Sequence, residues 1–231
     1  MKICSHTLVK NGMPFIGLVL RQAIPFVARC LITVSEKSDD GTLGILKELQ
    51  LEYPHKIFID FEAVNSPREL TKERQKQVDK TTEDWIWFLD DDDYWPIGYI
   101  TNIVEFLDNC DNEFDALAVN PYQVLTELQH DWDWRHRWFT KFFRNDARIN
   151  YRNPWPRDLI YLGDEVLYWK KNPRVKRIGT RFFHLSYIKQ HSFRDEVWAA
   201  EFAHKVGNPA SLSQNEKIHI ERMYEQLRNN K

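Results

Sequence analysis

Apolar and polar positions change period in a regular order along the first half of the chain. Ile3 to Val9 is a short apolar-rich run that stops at the polar Lys10-Asn11-Gly12 and reads as a strand. Phe15, Leu18, Val19 and Gln22 then recur at helical spacing as far as Ile24-Pro25. Arg29 to Val34 is a second strand, rich in β-branched residues, and Leu43 to Leu51 returns to a helical period. Lys56 to Phe61 is a third strand. Ser66-Pro67-Arg68-Glu69 opens the next helix, with a Ser N-cap, Pro at the first helical position and Glu three residues beyond the cap. That helix runs to about Lys80. The turn-like Thr81-Thr82-Glu83-Asp84 follows, and then the apolar strand Trp85 to Leu89.

Strands that alternate with helices in this way pair in parallel, with helices on both faces of the sheet. Ligands bind such sheets at the carboxyl ends of the strands. Three polar segments fall there: Lys10-Asn11-Gly12, Ser35 to Thr42, and Asp90 to Asp93. The second half has a different character. Ile97 to Leu107 reads as helix, Ala116 to Asn120 and Trp138 to Arg144 as strands, Gly163 to Lys171 as helix and Lys176 to Phe183 as extended. Phe193 to Val206 and a segment opened by Ser213 with Glu216, ending near Leu227, read as helices. With no repeat or linker in view, residues 1–231 are expected to form one α/β domain.

Four consecutive aspartates, Asp90 to Asp93, sit directly on the end of the apolar strand and are followed by Tyr94-Trp95-Pro96. Carboxylates packed side by side at the end of a buried strand repel one another. A divalent cation removes the conflict, because hard cations take oxygen ligands and keep positions open for phosphates. Most acidic runs are solvated loops, but the position of this one favours a metal site.

Composition narrows the field. The apolar fraction is 42% and the charged fraction 29%, as in a globular protein, and a net charge of −2 gives no basic field for nucleic acid. Many of the 9 Trp, 9 Tyr and 14 Phe must be core, and any surplus in loops would suit stacking on a sugar or base. Cys4, Cys30 and Cys110 have no paired spacing and are expected to be free thiols in a reducing compartment. The start is too polar for a signal peptide, and no run reaches the roughly 20 apolar residues of a transmembrane helix. The expectation is a soluble, cytoplasmic protein; its oligomeric state is left open.

Three segments resemble glycosyltransferases of the GT-A fold, close to the family-two type. Leu8-Val9-Lys10-Asn11-Gly12 is similar to the family's "(I/V)-V-K-N-E", with Gly12 in place of Glu. Ser38-Asp39-Asp40-Gly41-Thr42 is similar to "S-x-D-G-T", and Trp87-Phe88-Leu89-Asp90-Asp91-Asp92-Asp93 to the "F-L-D-A-D-D" that contains D-x-D. Arg74 stands where the family carries an Arg on the preceding helix. The match covers roughly the first 110 residues. It implies a Rossmann-like, mainly parallel sheet, with a nucleotide-sugar half (about 1–110) and an acceptor half (about 111–231).

The resemblance implies a hexosyltransferase-type enzyme of carbohydrate biosynthesis. It would move a sugar from a nucleotide-diphosphate donor, expected to be a UDP-sugar, to a hydroxyl of a glycan or other acceptor with Mn2+ or Mg2+. Asp92 is assigned to the metal, Asp90 to the ribose and metal-bound waters, and His184 to completing the metal shell. Thr7, Glu36, Asp40 and Arg74 are assigned to the donor, although Asp40 before Gly-Thr also suits a helix cap. Gly163-Asp164-Glu165 looks like "G-E-D" with the acids exchanged, making Glu165 or Asp164 the base; an acidic first helical turn is the simpler alternative. Trp132, Trp134, Trp138 or Trp155 could stack on an acceptor sugar, though core packing suits any one of them. Two other classes remain: a nucleotidyltransferase, disfavoured by the glycine-poor first loop, and a non-catalytic carbohydrate- or metal-binding module.

Overall fold

The computed structural model describes residues 1–63, 66–110, 113–126, 129–131, 137–154, 159–186 and 209–229. The helix expected over residues 193–206 and the tryptophans Trp132, Trp134 and Trp155 lie outside them.

Strands β1 (Ile3–Val9), β2 (Arg29–Ser35), β3 (Ile57–Glu62) and β4 (Trp85–Phe88) pair in parallel in the order β3-β2-β1-β4. Helices α1 (Ile16–Ala23), α2 (Thr42–Glu52) and α3 (Pro67–Asp79) make the crossovers, within two residues of the expected bounds. Ser66 caps α3 as expected, its hydroxyl accepting from the Glu69 N–H. Beyond β4 the sheet continues with β8 (Phe139–Arg144), antiparallel to β4, and β6 (Ala116–Thr126), antiparallel to β8. Strand β12 (Val175–His184) runs parallel to β6. The short β5 (Asp93–Tyr94) is antiparallel to the end of β12, while β7 (Gln129–Asp131) and β13 (Pro209–Ser211) extend the far side. Both halves of the chain thus join one ten-stranded sheet, and the α/β expectation holds.

Helix α4 (Ile97–Asn109) matches its pattern, and the last helix, α5 (Gln214–Asn229), begins at a capping box. There the Ser213 N–H donates to the Glu216 carboxylate at 2.6 Å and the Glu216 N–H donates back to the Ser213 hydroxyl at 3.4 Å. One element differs. Gly163 to Lys171 is not a helix: β10 (Leu159–Leu162) turns at Gly163 into β11 (Glu165–Val166), and both join β9 (Ile149–Arg152) in a separate three-stranded sheet. Gly163 has φ +62°, in the left-handed region that reverses a hairpin and that glycine enters without a Cβ penalty. The acid pair therefore follows a turn residue and does not open a helix.

The core is aromatic below the acidic run. Trp87 stacks on Phe142 with ring centroids 5.1 Å apart, and Trp95 on Phe182 at 4.6 Å. The side chain of β1 residue His6 is also interior, its Nε2–H donating to the Thr81 hydroxyl at 2.7 Å while that hydroxyl donates to the Gln77 carbonyl. Burial first, then the charges of Arg74 and Arg29, lower its pKa to about 3. Cys4 and Cys30 are free and buried, their thiols pushed up to about 12 and about 11 chiefly by burial, so they are protonated.

A neutral buried histidine makes stability depend on pH in a defined sense. Below its ordinary value of 6.5 the unfolded chain takes up a proton that the folded chain refuses until about 3, so stability is lost as pH falls through that window. Each pH unit costs about 1.4 kcal/mol for one such group. His6→Gln, which retains a donor for Thr81, should show a shallower decline between pH 6.5 and 4.5 in denaturant melts. Parallel curves for the two proteins would rule out a neutral His6.

Candidate metal and donor site

The three polar segments meet at one edge of the sheet. Val9 pairs with Val34 and His6 with Phe88, so Lys10-Asn11, Ser35-Glu36 and Asp90-Asp91 leave the sheet together. The first two loops are laced by side chains. Asp39 N–H donates to the Asn11 amide oxygen at 2.9 Å, and Gly12 N–H to the Thr42 hydroxyl at 2.7 Å. Asp40 accepts from the Met13 and Thr42 N–H groups at 2.8 and 3.1 Å, and from the Thr42 hydroxyl. Its carboxylate clamps the loops and starts α2, with Gly41 at φ +88° between them. Gly12 is required by a close approach: a Cβ there would lie 2.7 Å from Val9, 2.9 Å from Ile16 and 3.1 Å from the Asp91 carboxylate.

The acidic run is held inward from both sides. Strand β4 precedes it in the core, and Tyr94 and Trp95 after it are 3% and 1% exposed. The Leu185 N–H donates to the Asp92 carbonyl at 2.9 Å, and the Asp93 N–H closes a turn on the Asp90 carbonyl. Asp91 and Asp92 are consequently buried and Asp93 is 0% exposed, which removes the solvated-loop alternative.

Each carboxylate has its own surroundings. Asp90 accepts from Lys141 Nζ at 2.7 Å and from Arg74 at 3.5 Å. Burial opposes its ionisation, but Lys141 and Arg74 outweigh burial and hold its carboxyl below the usual carboxylate range. Arg74 lies over the Phe88 ring, 3.7 Å from the centroid, and so stands beside the acidic run. Asp93 also accepts from Lys141 through Oδ2, while its buried Oδ1 has no hydrogen-bond partner among the described residues. Burial, with Asp90 and Asp92 alongside, pushes Asp93 well above the carboxylate range despite Lys141. Lys141 is itself raised: burial works against its charge, and Asp90 and Asp93 more than offset it.

Asp92, Asp93 and His184 offer three ligand atoms within 4.8 Å of one another. His184 Nε2 is 3.7 Å from the Asp92 carboxylate. Its other nitrogen, Nδ1, bonds the Gln123 amide oxygen at 2.6 Å, and the Gln123 amide donates to the Ser186 hydroxyl at 3.1 Å and the His184 carbonyl at 3.3 Å. Gln123 Oε1 is only an acceptor, so Nδ1 carries the proton and the Nε2 lone pair faces Asp92. Such an outer partner orients metal-binding histidines. The Asp92 and Asp93 carboxylates and this lone pair fit a divalent cation, and a mixed carboxylate–imidazole set suits Mn2+ better than Mg2+.

The sequence-expected residues divide accordingly. Asp92 and His184 come together with Asp93, while Asp90 lies alongside, bonded to Lys141 and Arg74. Glu36 is exposed at the same edge, at the end of β2. Thr7 is interior: its hydroxyl donates to the Leu89 carbonyl at 2.9 Å and its carbonyl accepts from Gln77 at 3.0 Å, so neither is presented to a ligand. Asp164 and Glu165 are exposed at the opposite edge. Glu165 interacts with Arg148 and Arg174, and Arg174 immediately precedes β12, whereas His184 ends it. The ten residues of β12 put on the order of 30 Å between them. Trp138 packs against Trp169 with centroids 6.4 Å apart. Lys141, Gln123 and Asp93 are the site residues that the spacing of motifs missed. Gln123 and Lys141 lie on strands of the second half, where only the topology places them near the aspartates.

If Gln123 fixes the His184 ring, Gln123→Leu should lower Mn2+ affinity by about 10- to 100-fold in calorimetry while the circular dichroism spectrum is retained. Because the Ser186 hydroxyl also lies 3.2 Å from Nδ1, unchanged Mn2+ affinity would show that Gln123 is not what sets the ring for a cation.

No curated protein matches the sequence. Solved structures that are similar include the mannosyltransferase PcManGT from Pyrobaculum calidifontis in complex with GDP-Man and Mn2+. That likeness is 16% identical with a TM-score of 0.43, over 55% of this chain and 36% of that one. S. aureus TarS 1-349 in complex with UDP is 19% identical, TM-score 0.44, over 54% and 36%. Glucosyl-3-phosphoglycerate synthase from Mycobacterium tuberculosis, in complex with Mn2+, UDP and phosphoglyceric acid, is 12% identical, TM-score 0.37, over 52% and 43%. The chain thus covers less than half the length of each. A family model, Glycosyl transferase family 2, matches residues 19–170, more than half of the chain and every strand of the parallel core except β1. On that match, this chain belongs to glycosyl transferase family 2.

Proposed function

We propose that this protein transfers a hexose from a nucleotide-diphosphate sugar, a UDP-sugar being the favoured donor, to an acceptor hydroxyl with a divalent cation. The observation that carries this reading is the Asp92–Asp93–His184 cluster at the carboxyl edge of the parallel strands, with the His184 lone pair turned toward Asp92. These residues would hold Mn2+ or Mg2+. Bound there, the cation supplies electrostatic stabilisation to the diphosphate that departs as the glycosidic bond breaks.

The chain's own residues prepare the site around that group. Asp90, held ionised by Lys141 and Arg74, is an acceptor for a ribose hydroxyl or a metal-bound water. Glu36 and the clamped Asn11–Met13 loop border the edge where the nucleoside would lie. Asp40 acts through that loop, because its own oxygens are occupied. Asp164 and Glu165, across the sheet, are not assigned the acceptor's proton. Trp138 belongs to the half that would meet the acceptor. Among the described residues no helix is long and apolar enough to cross a membrane.

The reading is tested by titrating UDP with and without Mn2+ and by screening sugar nucleotides for metal-dependent hydrolysis. Asp92→Asn keeps the shape but removes a ligand charge, so Mn2+-dependent UDP binding should fall at least tenfold while the fold persists. UDP binding that is indifferent to Mn2+ in the parent protein would overturn the proposal. Glu165→Gln and Asp164→Asn should leave donor hydrolysis within about twofold of the parent. A loss of 10²- to 10⁴-fold in either, the size of a missing general base, would show that these acids do reach the reaction.

A further inference from the structure

Lys141 lies where the pairing of β8 with β6 slips. Leu117 pairs with Phe142 but Ala118 with Thr140, so Lys141 is the extra residue of a β-bulge. Bulges next to active sites re-aim a side chain, and here the side chain ends among the aspartates. Its ammonium is 2.7 Å from one Asp90 oxygen, bonds Asp93 Oδ2, and stands 4.8 and 5.0 Å from the ring centroids of Phe88 and Phe182. The side chain is 4% exposed. A buried ammonium is costly unless paired, and this one bridges two carboxylates much as a metal ion would.

We propose that Lys141 is a resident cation of the site, which takes the place of a second metal ion and confines divalent-cation binding to the side of Asp92, Asp93 and His184. The inference rests on the metal-dependent reading above. Formal charge supports it. Arg74 and Lys141 offset only part of the negative charge that four adjacent carboxyl groups can carry, so each positive charge lost there raises the demand for a cation. Geometry supports it independently, because Lys141 ties Asp93 by Oδ2, while Asp93 Oδ1 has no hydrogen-bond partner among the described residues and the Asp93 carboxylate lies within 4.8 Å of ligand atoms of Asp92 and His184. Lys141 is therefore a positioning residue: it selects which carboxylate oxygens remain for the cation.

The test is titration of the full chain with MnCl2 alone, read by calorimetry and by the electron paramagnetic resonance of free Mn2+. The parent and Lys141→Arg should each bind one equivalent. Lys141→Met keeps the stem over Phe88 and Phe182 but leaves one uncompensated charge. It should bind Mn2+ at least tenfold more tightly or take up a second equivalent. Asp90→Asn combined with Lys141→Met restores the charge balance and should return to one equivalent at an affinity within about threefold of the parent. One equivalent at parental affinity for Lys141→Met would overturn the proposal. If Lys141→Met does not fold without metal, the double variant still should, and failure of the double variant to fold or to bind as the parent does would overturn it as well. A parent chain that binds no Mn2+ would sink the metal-dependent reading itself.

Discussion

Carboxylates confined between two apolar anchors are the constraint around which the site is organised. Trp85–Phe88 is a core strand and Tyr94–Trp95 is buried, so the aspartates between them are held in place, Asp91 to Asp93 buried and Asp90 half-buried. Like charges at that spacing, with solvent withdrawn, would destabilise the fold unless something positive lay nearby. The chain supplies Arg74 from α3 and Lys141 from a bulge in β8, each also resting on Phe88, and both converge on Asp90. Asp92 and Asp93 are left facing the His184 lone pair. That arrangement makes a cation the natural completion of the cluster, because it satisfies the repulsion that the packing enforces.

The same constraint explains the division of labour among the acidic residues nearby. Asp40 belongs to a motif that suggests ligand contact, yet its oxygens are bound by the Met13 and Thr42 N–H groups and the Thr42 hydroxyl. Its task is to fix the loop after β1 against the start of α2. Gly12 then permits Asp91 to approach that loop. One carboxylate thus shapes the edge and its neighbours present charge to it.

Much of this was legible in the sequence where the signal was local. The first four strands and their helices followed from hydrophobic period, and the caps at Ser66 and Ser213 from their side chains. A candidate metal site was legible because a strand end full of carboxylates is anomalous, and it was the family resemblance that singled out Asp92 within the run. The acid pair after Gly163 misled, since glycine before two acids suits both a hairpin turn and a helix start, and only the positive φ of Gly163 with the β10–β11 pairing decides between them. Lys141 and Gln123 carried no local mark. Their roles arise from strand order: β8 and β6 enter the sheet beside β4 against the chain order, and a bulge, which no residue spacing announces, aims the lysine.

Strand β5 shows how the two halves depend on each other. It is only Asp93–Tyr94, too short to be stable alone, and it is held by pairing with Phe183–His184 at the end of β12. That pairing sets Asp93 opposite His184 in register, and the neighbouring Leu185 N–H to Asp92 carbonyl bond fixes the next residue. Gln123, at the same level of β6, orients the imidazole. The three ligand atoms therefore come together only when β12 has docked on β6. A cation bound by all three favours that docked sheet over any state in which β12 is displaced, by mass action. Closure of the sheet and formation of the site are one equilibrium, in which the repulsion among the aspartates opposes closure, His184 and Lys141 favour it, and a cation bound there would favour it further.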